Sequence, residues 1–196
     1  MDGKKARKSL HCRASQIWNT GNDRDARSAE YEVADRCGAI DEESRQRVGR
    51  RPSNWVSALY VYEDFWFEND RSPRENTRVR SNIPLAERHM GEWARYQRRF
   101  ETRLSTYQLI RLDVSPAFAW DPHERAWQKQ LEACKRHVTV TGQLPFLNGN
   151  NAREFALARW LGRQLRLLQT GTLLDSRAVQ LGVLLALGKD GYVWDS

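Results

Sequence analysis

The sequence predicts an all-α protein, in which tandem three-helix bundles follow a helical N-terminal segment. Three observations support this prediction: strict two-residue alternation of apolar and polar residues is almost absent, helix-capping patterns recur, and one ordered set of Trp, Gln, Pro and Leu positions occurs twice. With 40% hydrophobic residues among 196, the chain has enough apolar side chains for a folded core. Because eight residues are tryptophan, we expect small cores built around indole rings.

Capping patterns mark several helix starts. Asp121-Pro122-His123-Glu124 places a cap residue before a Pro at the first helical position, and Ser105-Thr106-Tyr107-Gln108 is a capping box. Asn151-Ala152-Arg153-Glu154 is a weaker form of the same box. Together with the Pro and Gly breakers, these patterns predict helices over residues 21–36, 41–48, 55–68, 84–102, 105–112, 122–138, 152–169 and 175–187.

The internal repeat predicts how these helices are grouped. Each copy contains a helix that opens with Trp, a long loop with Pro, a second helix with a Trp/Gln pair, a short third helix with two Leu, and a closing Trp. The first copy supplies Trp55, Leu59, Pro73, Trp93, Gln97, Leu104, Leu112 and Trp120, and the second supplies Trp127, Leu131, Pro145, Trp160, Gln164, Leu173, Leu181 and Trp194. The copies differ in loop length, which helical repeats tolerate.

The repeat divides the chain into four regions. Residues 1–20 form a basic, mobile N-terminal arm, and residues 21–51 a helical segment. Within that segment Gly38-Ala39-Ile40 and Val48 have the spacing of a degenerate half-repeat. Residues 52–121 form the first three-helix module and residues 122–196 the second. The arm has no apolar stretch of the secretory type, and the longest apolar run is too short to span a bilayer.

The doubled pattern resembles the helicase-associated domain family. The motifs that carry the resemblance are MGEWARYQRR and FAWDP in the first copy, and GQLP, LARWLGRQ, GTLLDSR and YVWD in the second. Members of this family are small three-helix modules, often in tandem in bacterial, particularly actinobacterial, helicase-like proteins. The resemblance covers residues 52–196 and implies a three-helix fold and a nucleic-acid-binding role. The copies depart from one another where Ala158 replaces Gly91, and no GxxxxGK[ST] phosphate loop of a helicase motor is present.

Charge favours an anionic partner. The net charge of +7 points first to nucleic acid and second to an acidic membrane surface; a basic surface that only confers solubility is the alternative. The partner in our leading hypothesis is DNA more than RNA. A helical wheel of residues 88–100 places the arginines opposite an apolar arc that includes Trp93, Tyr96 and Phe100. We therefore expect the rings to build the core and the basic side chains to contact phosphate. The predicted contact residues are Arg88, Arg95, Arg98, Arg99, Arg159, Arg163, Arg166, Lys4, Lys5, Arg7 and Lys8.

Other functions have weaker support in the sequence. A protein-interaction module that docks onto a helicase, polymerase or ribosome is the alternative, and it would use exposed rings near Phe65-Trp66-Phe67. We expect no enzyme, no cofactor and no metal, because the four His are scattered and Cys134 with His137 is an isolated pair. Three widely spaced Cys favour a reducing, cytoplasmic compartment. Gln97 and Gln164 lie on the apolar arcs, where we expect their amides to hold the long loops.

Overall fold

The computed structural model describes residues 3–21, 25–40, 49–75 and 82–190, and most of these residues are helical. No β-strand occurs within these ranges, so the all-α prediction is confirmed. A short 3-10 helix, Glu101–Arg103, lies between the fourth and fifth helices. The α-helices are α1 (Gly3–Thr20), α2 (Ala26–Ile40), α3 (Arg50–Asn69), α4 (Leu85–Arg99), α5 (Thr106–Asp113), α6 (Pro122–Thr141), α7 (Ala152–Gln169) and α8 (Asp175–Asp190).

The capping patterns mark real helix starts. Ser105 accepts a hydrogen bond from the Gln108 amide, and the Gln108 side chain accepts one from the Ser105 amide, at 3.0 Å. Asp121 accepts from the amides of His123 and Glu124, while Asn151 accepts from the Glu154 amide. The helix predicted over residues 41–48 lies outside the described residues. Across the parts of the chain that the structure describes, no helix has both the length and the apolar character needed to cross a membrane.

The N-terminal region differs from the predicted mobile arm. Residues 3–20 form α1, whose apolar stripe packs into a core: Ala14 is fully buried, and the Trp18 ring meets Tyr107 edge-on at 5.8 Å. The stripe recurs every four residues, at Ala6, Leu10, Ala14 and Trp18, which is the spacing of one helix face. The dense Lys and Arg residues between these positions hid it in the sequence.

The chain divides into two compact units, residues 1–120 (unit 1) and 121–196 (unit 2). Unit 1 joins α1 and α2 to α3–α5 around one core, so the predicted arm, helical segment and first module share it. The core of unit 2 lies among α6, α7 and α8. Gly38 belongs to helix α2, whereas Gly171 is in a turn with φ of 66°, so the predicted half-repeat has no matching local structure; Val48 lies outside the described ranges.

The same indole–amide hydrogen bond occurs in both units. Trp55 donates from Nε1 to Gln97 Oε1 over 3.0 Å, and in unit 2 Trp127 donates to Gln164 Oε1 over the same distance. The second tryptophan of each pattern packs on the first, with ring centroids 6.3 Å apart for Trp93 in unit 1 and 5.8 Å apart in unit 2. The two amides therefore join α3 to α4 and α6 to α7, and neither makes the expected hydrogen bond to the described part of its long loop.

Buried glutamates hold the long loops instead. Glu87 Oε1 accepts a hydrogen bond from the Arg74 amide at 2.8 Å. The same oxygen forms an ion pair with Nη1 of Arg71 at 2.6 Å. In unit 2, Glu154 accepts from the Phe146 amide at 3.5 Å and from Asn148 at 3.0 Å. In each case the amide belongs to the residue after the loop proline. The loop of unit 1 also explains Gly91, since a Cβ there would lie 2.8 Å from the Arg74 carbonyl oxygen.

Glu87 should make unit 1 sensitive to acid. Hydrogen bonding from Arg71, followed by the bond from the Arg74 amide, outweighs burial and lowers the pKa of Glu87 from 4.5 to about 2. A carboxyl with a lowered folded-state pKa stabilises the fold above its unfolded-state pKa, and this contribution is lost as the pH falls towards the folded-state value. We expect Glu87→Gln to destabilise unit 1 by about 1–3 kcal/mol at neutral pH, and the difference from wild type to shrink between pH 4.5 and about 2.

Urea unfolding of both proteins across this pH range would measure the difference. Glu30→Gln, at an exposed position of α2, is the control for a change of one charge. A difference between wild type and Glu87→Gln that stays constant down to pH 2 would contradict the role of the ionised Glu87.

Candidate nucleic-acid interface

Two rows of side chains run side by side along the last turns of α4. Arg95 and Arg99 are four residues apart and share one row, while Tyr96 and Phe100 share the next. The rings of Tyr96 and Phe100 lie with centroids 4.5 Å apart, and Tyr96 is 55% exposed. We call these two rings the aromatic ridge. The expectation that Tyr96 packs in the core is therefore wrong, because the core-facing arc of α4 is narrower than the apolar arc of the wheel.

A cleft lies on each side of the aromatic ridge, and Tyr96 and Phe100 line both. The first cleft, of about 430 Å³, receives arginines from three different elements: Arg27 from α2, Arg51 from α3 and Arg103 from the 3-10 helix. The second cleft, of about 500 Å³, is lined by Arg95 and Arg99 together with Glu92. The remaining residues that line the first cleft are Tyr31, Trp55, Gln97, Leu104 and Gln108.

The electrostatic character of both clefts is set by five guanidinium groups. Glu92 is the one acidic side chain among the described residues that line either cleft. Arg27 donates from Nη2 to the Arg103 carbonyl oxygen at 2.6 Å, which fixes it across the first cleft. The guanidinium carbons of Arg103 and Arg99 lie 4.8 and 5.5 Å from the centroid of Phe100. Planar, permanently charged donors held beside a ring can receive phosphate oxygens.

Two of the four predicted arginines of α4, Arg88 and Arg98, do not line either cleft. Arg98 donates to the Ala119 carbonyl oxygen at 2.9 Å, forms an ion pair with Glu75, and lies 5.5 Å from the Phe118 ring centroid. With 15% of its side chain exposed, Arg98 is a packing residue that ties the chain after α5 to α4. Arg88 is half-buried, and its Nε has no hydrogen-bond partner among the described residues. Neither residue lines a cleft, so the structure brings together Arg95 and Arg99 alone of the four.

Of the predicted N-terminal contact residues, one is held in an ion pair and two are exposed. Arg7 is held by Asp64 at 3.1 Å and lies 5.0 Å from the centroid of Tyr60, so it joins α1 to α3. Lys5 and Lys8 are exposed on α1. The side chain of Lys4 is outside the described part of the structure.

The predicted arginines of unit 2 form an exposed basic face on α7, and the partly exposed Phe155 lies one turn before Arg159. Arg159, Arg163 and Arg166 are all exposed on α7. When LARWLGRQLRL is placed beside MGEWARYQRRF, the position of Tyr96 holds Arg163 and that of Phe100 holds Leu167. Unit 2 therefore has charge at this place and no counterpart of the aromatic ridge.

A buried polar cluster in unit 1 was also not predicted from the sequence. Arg111, with no exposed surface, donates from Nε to Asp35 at 2.9 Å and from its two Nη atoms to Glu63 at 2.8 and 2.9 Å. Tyr60 and Tyr107 each donate to Asp35 at 2.7 Å. Burial alone would raise the pKa of Asp35, but the charge of Arg111 and these hydrogen bonds hold it at about 2. Because its members are buried and paired, the cluster serves to join α2, α3 and α5.

The cysteines and histidines do not form a ligand set. Within the described ranges no group of three or more His, Cys, Asp or Glu side chains is placed to hold a metal ion. Cys134 is fully buried in the core of unit 2, where burial raises the pKa of its thiol to about 11. His137 lies 3.5 Å from Glu154 and thus beside the long loop.

The sequence did not reveal the first cleft because its arginines come from distant segments. Arg27 and Arg51 lie in the helical segment that precedes the two repeats, and Arg103 follows the end of α4. The sequence signal that indicates an exposed Tyr96 is its position at the edge of the apolar arc, next to Arg95 and Arg99.

The fold and surface define an all-helical protein with a basic, aromatic surface. Comparison with protein-family models, curated proteins and solved structures finds no match to this chain.

Proposed function

We propose that this protein is a non-catalytic nucleic-acid-binding accessory factor that contacts the sugar-phosphate backbone, of DNA rather than RNA, through the clefts of unit 1. The observation that carries the proposal is the convergence of five arginines from four elements on an exposed aromatic ridge. Acting in the cytoplasm, in association with the nucleoid or with a helicase or similar machine, belongs to the same proposal.

The physical basis of binding is charge neutralisation. Each guanidinium that meets a phosphate releases condensed counterions, so affinity falls steeply as salt rises. Contacts of this kind position the protein without reading sequence. The exposed Arg159, Arg163 and Arg166 of unit 2, with Lys5 and Lys8 on α1, would add long-range attraction to the same partner.

We also propose that the two units are built from a tandem three-helix repeat of the helicase-associated type. The matched Trp55–Gln97 and Trp127–Gln164 hydrogen bonds support this, as do the loop contacts of Glu87 and Glu154. Unit 1 carries α1 and α2 in addition to the three helices of the repeat.

A binding titration tests the proposed function. A labelled duplex and a labelled single strand are titrated with the full chain at two salt concentrations. Arg95→Ala/Arg99→Ala should weaken binding by about 10–100-fold at low salt, because each of the two lost solvent-accessible contacts contributes about 0.5–1.5 kcal/mol. The slope of log affinity against log salt should fall by about one for each phosphate contact removed.

The matched control is Arg136→Ala/Arg153→Ala, which removes two exposed arginines of unit 2 that line neither cleft. This control should reduce affinity only slightly. If both double variants lose the same amount of affinity, the clefts are not the binding surface. Binding that hardly responds to salt would favour the docking module instead.

The docking alternative has less structural support. Phe65, Trp66 and Phe67 are all half-buried, Trp66 packs against the core of unit 1, and Arg71 lies 4.8 Å from the Phe65 ring centroid. These rings thus offer a partner less free surface than the sequence indicated.

A further inference from the structure

We infer that the nucleic acid bound at the aromatic ridge is single-stranded, with one base stacked on the ring of Tyr96. This inference rests on the proposed function and adds the strandedness of the partner and the residue that selects it. Tyr96 is 55% exposed, although it lies among arginines on a helix whose other large rings are at least half-buried. An exposed ring flanked by guanidinium groups is the arrangement in which proteins hold unpaired bases.

The ridge presents Tyr96 as its free ring. Phe100 is flanked by the guanidinium groups of Arg99 and Arg103 at 5.5 and 4.8 Å from its centroid. Phe100 in turn contacts Tyr96 with an interplanar angle of 51°, so it supports the tyrosine ring from the position just after the end of α4. A base that approaches the ridge therefore meets Tyr96, with Phe100 as backing and not as the stacking partner.

Position also favours an unpaired strand. Tyr96 lines both clefts, so a strand that crosses the ridge passes from Arg95 and Arg99 on one side to the arginines of the first cleft on the other. In a duplex the base faces are covered by their neighbours, and a surface ring cannot reach them without unstacking. A single strand exposes its base faces and can give phosphates to both clefts at once.

The first cleft has little capacity to read base identity. Its volume of about 430 Å³ is in the range of small-ligand sites. However, Gln97 Oε1 already accepts from Trp55, and Gln108 Oε1 already accepts from the Ser105 amide. Each of these amide oxygens keeps only one lone pair for a base, whereas a ring can stack on the face of any base, so the preference among bases should be small.

Tyr96 variants test the inference. The probes are a labelled oligothymidylate of about 16 nucleotides, the same strand annealed to its complement, and the equivalent single-stranded RNA. Tyr96→Ala should weaken single-strand binding about tenfold, while Tyr96→Phe should keep wild-type affinity because it retains the ring. Duplex binding should be unchanged by either substitution. Similar losses for the DNA and RNA strands would show that the ring accepts both.

The controls separate this inference from the proposed function. Leu85→Ala removes an exposed apolar side chain from the other end of α4 and should not affect any probe. If Tyr96→Ala binds single strands as wild type does, while Arg95→Ala/Arg99→Ala still weakens binding, stacking is overturned and the backbone-directed function survives. If wild-type protein prefers the duplex, the single-strand inference is likewise overturned. If no probe binds at low salt, both proposals fail.

Discussion

Replacing Arg111 with Met should lower the free energy of unfolding of unit 1 by about 3–5 kcal/mol. The substitution leaves the carboxylates of Asp35 and Glu63 buried without the cation that both of them contact. Both carboxylates have 0% exposed side-chain surface, so water cannot replace the lost partner. Hydrogen exchange followed peptide by peptide would measure the loss, and it should be confined to α1–α5.

Arg177→Met is the matched control for this experiment. Arg177 pairs with Glu124 at 2.7 Å, but the two side chains are 21% and 37% exposed, and such pairs contribute about 0–1 kcal/mol. Adding Glu63→Gln to Arg111→Met should recover part of the stability, since one of the two unpaired anions is then removed. Equal losses for Arg111→Met and Arg177→Met would contradict the structural role of the cluster.

The tryptophans that open the two repeats should be of equal importance in their own units. We expect Trp55→Ala to destabilise unit 1, and Trp127→Ala to destabilise unit 2, by about 3–5 kcal/mol each. Both rings are more than nine-tenths buried, and each removal also leaves a glutamine oxygen without its donor. Unit-resolved hydrogen exchange is again the measurement, and the unmutated unit serves as the internal reference.

Phenylalanine variants keep this test informative if an alanine variant does not fold. Trp55→Phe and Trp127→Phe retain an aromatic ring but leave Oε1 of Gln97 or Gln164 without its indole donor, at a cost of about 1–3 kcal/mol. Similar losses in the two units would support a common origin of their packing. A loss in one unit that is several-fold larger than in the other would contradict the repeat proposal.

Sequence reasoning worked where the information lies within one helix. The cap residues Ser105, Asp121 and Asn151 act on amides two or three positions away, and each caps the predicted helix. The tryptophan and glutamine positions were found because spacing on a helix face is a local property. The same reasoning failed for α1, because the basic residues between its apolar positions resembled the composition of a mobile arm.

The site depends on contacts that no local pattern contains. A helical wheel shows the faces of α4 but not the width of the surface that α3 and the chain after α5 cover, so it could not show that Tyr96 is exposed. The first cleft exists because α2, α3 and the 3-10 helix bring Arg27, Arg51 and Arg103 to one place. Such convergence is a product of tertiary packing, and a single sequence does not encode it in any spacing.

The buried polar cluster also has a consequence for synthesis of the chain on the ribosome. Asp35 lies 76 residues before Arg111, and His11, which lies 3.1 Å from the Tyr107 hydroxyl, precedes that residue by 96. The first two helices therefore leave the ribosome long before their partners in α5, and unit 1 cannot complete its packing until most of it has been made. During that interval the nascent chain exposes Trp18 and Tyr31 to chaperones and to other chains.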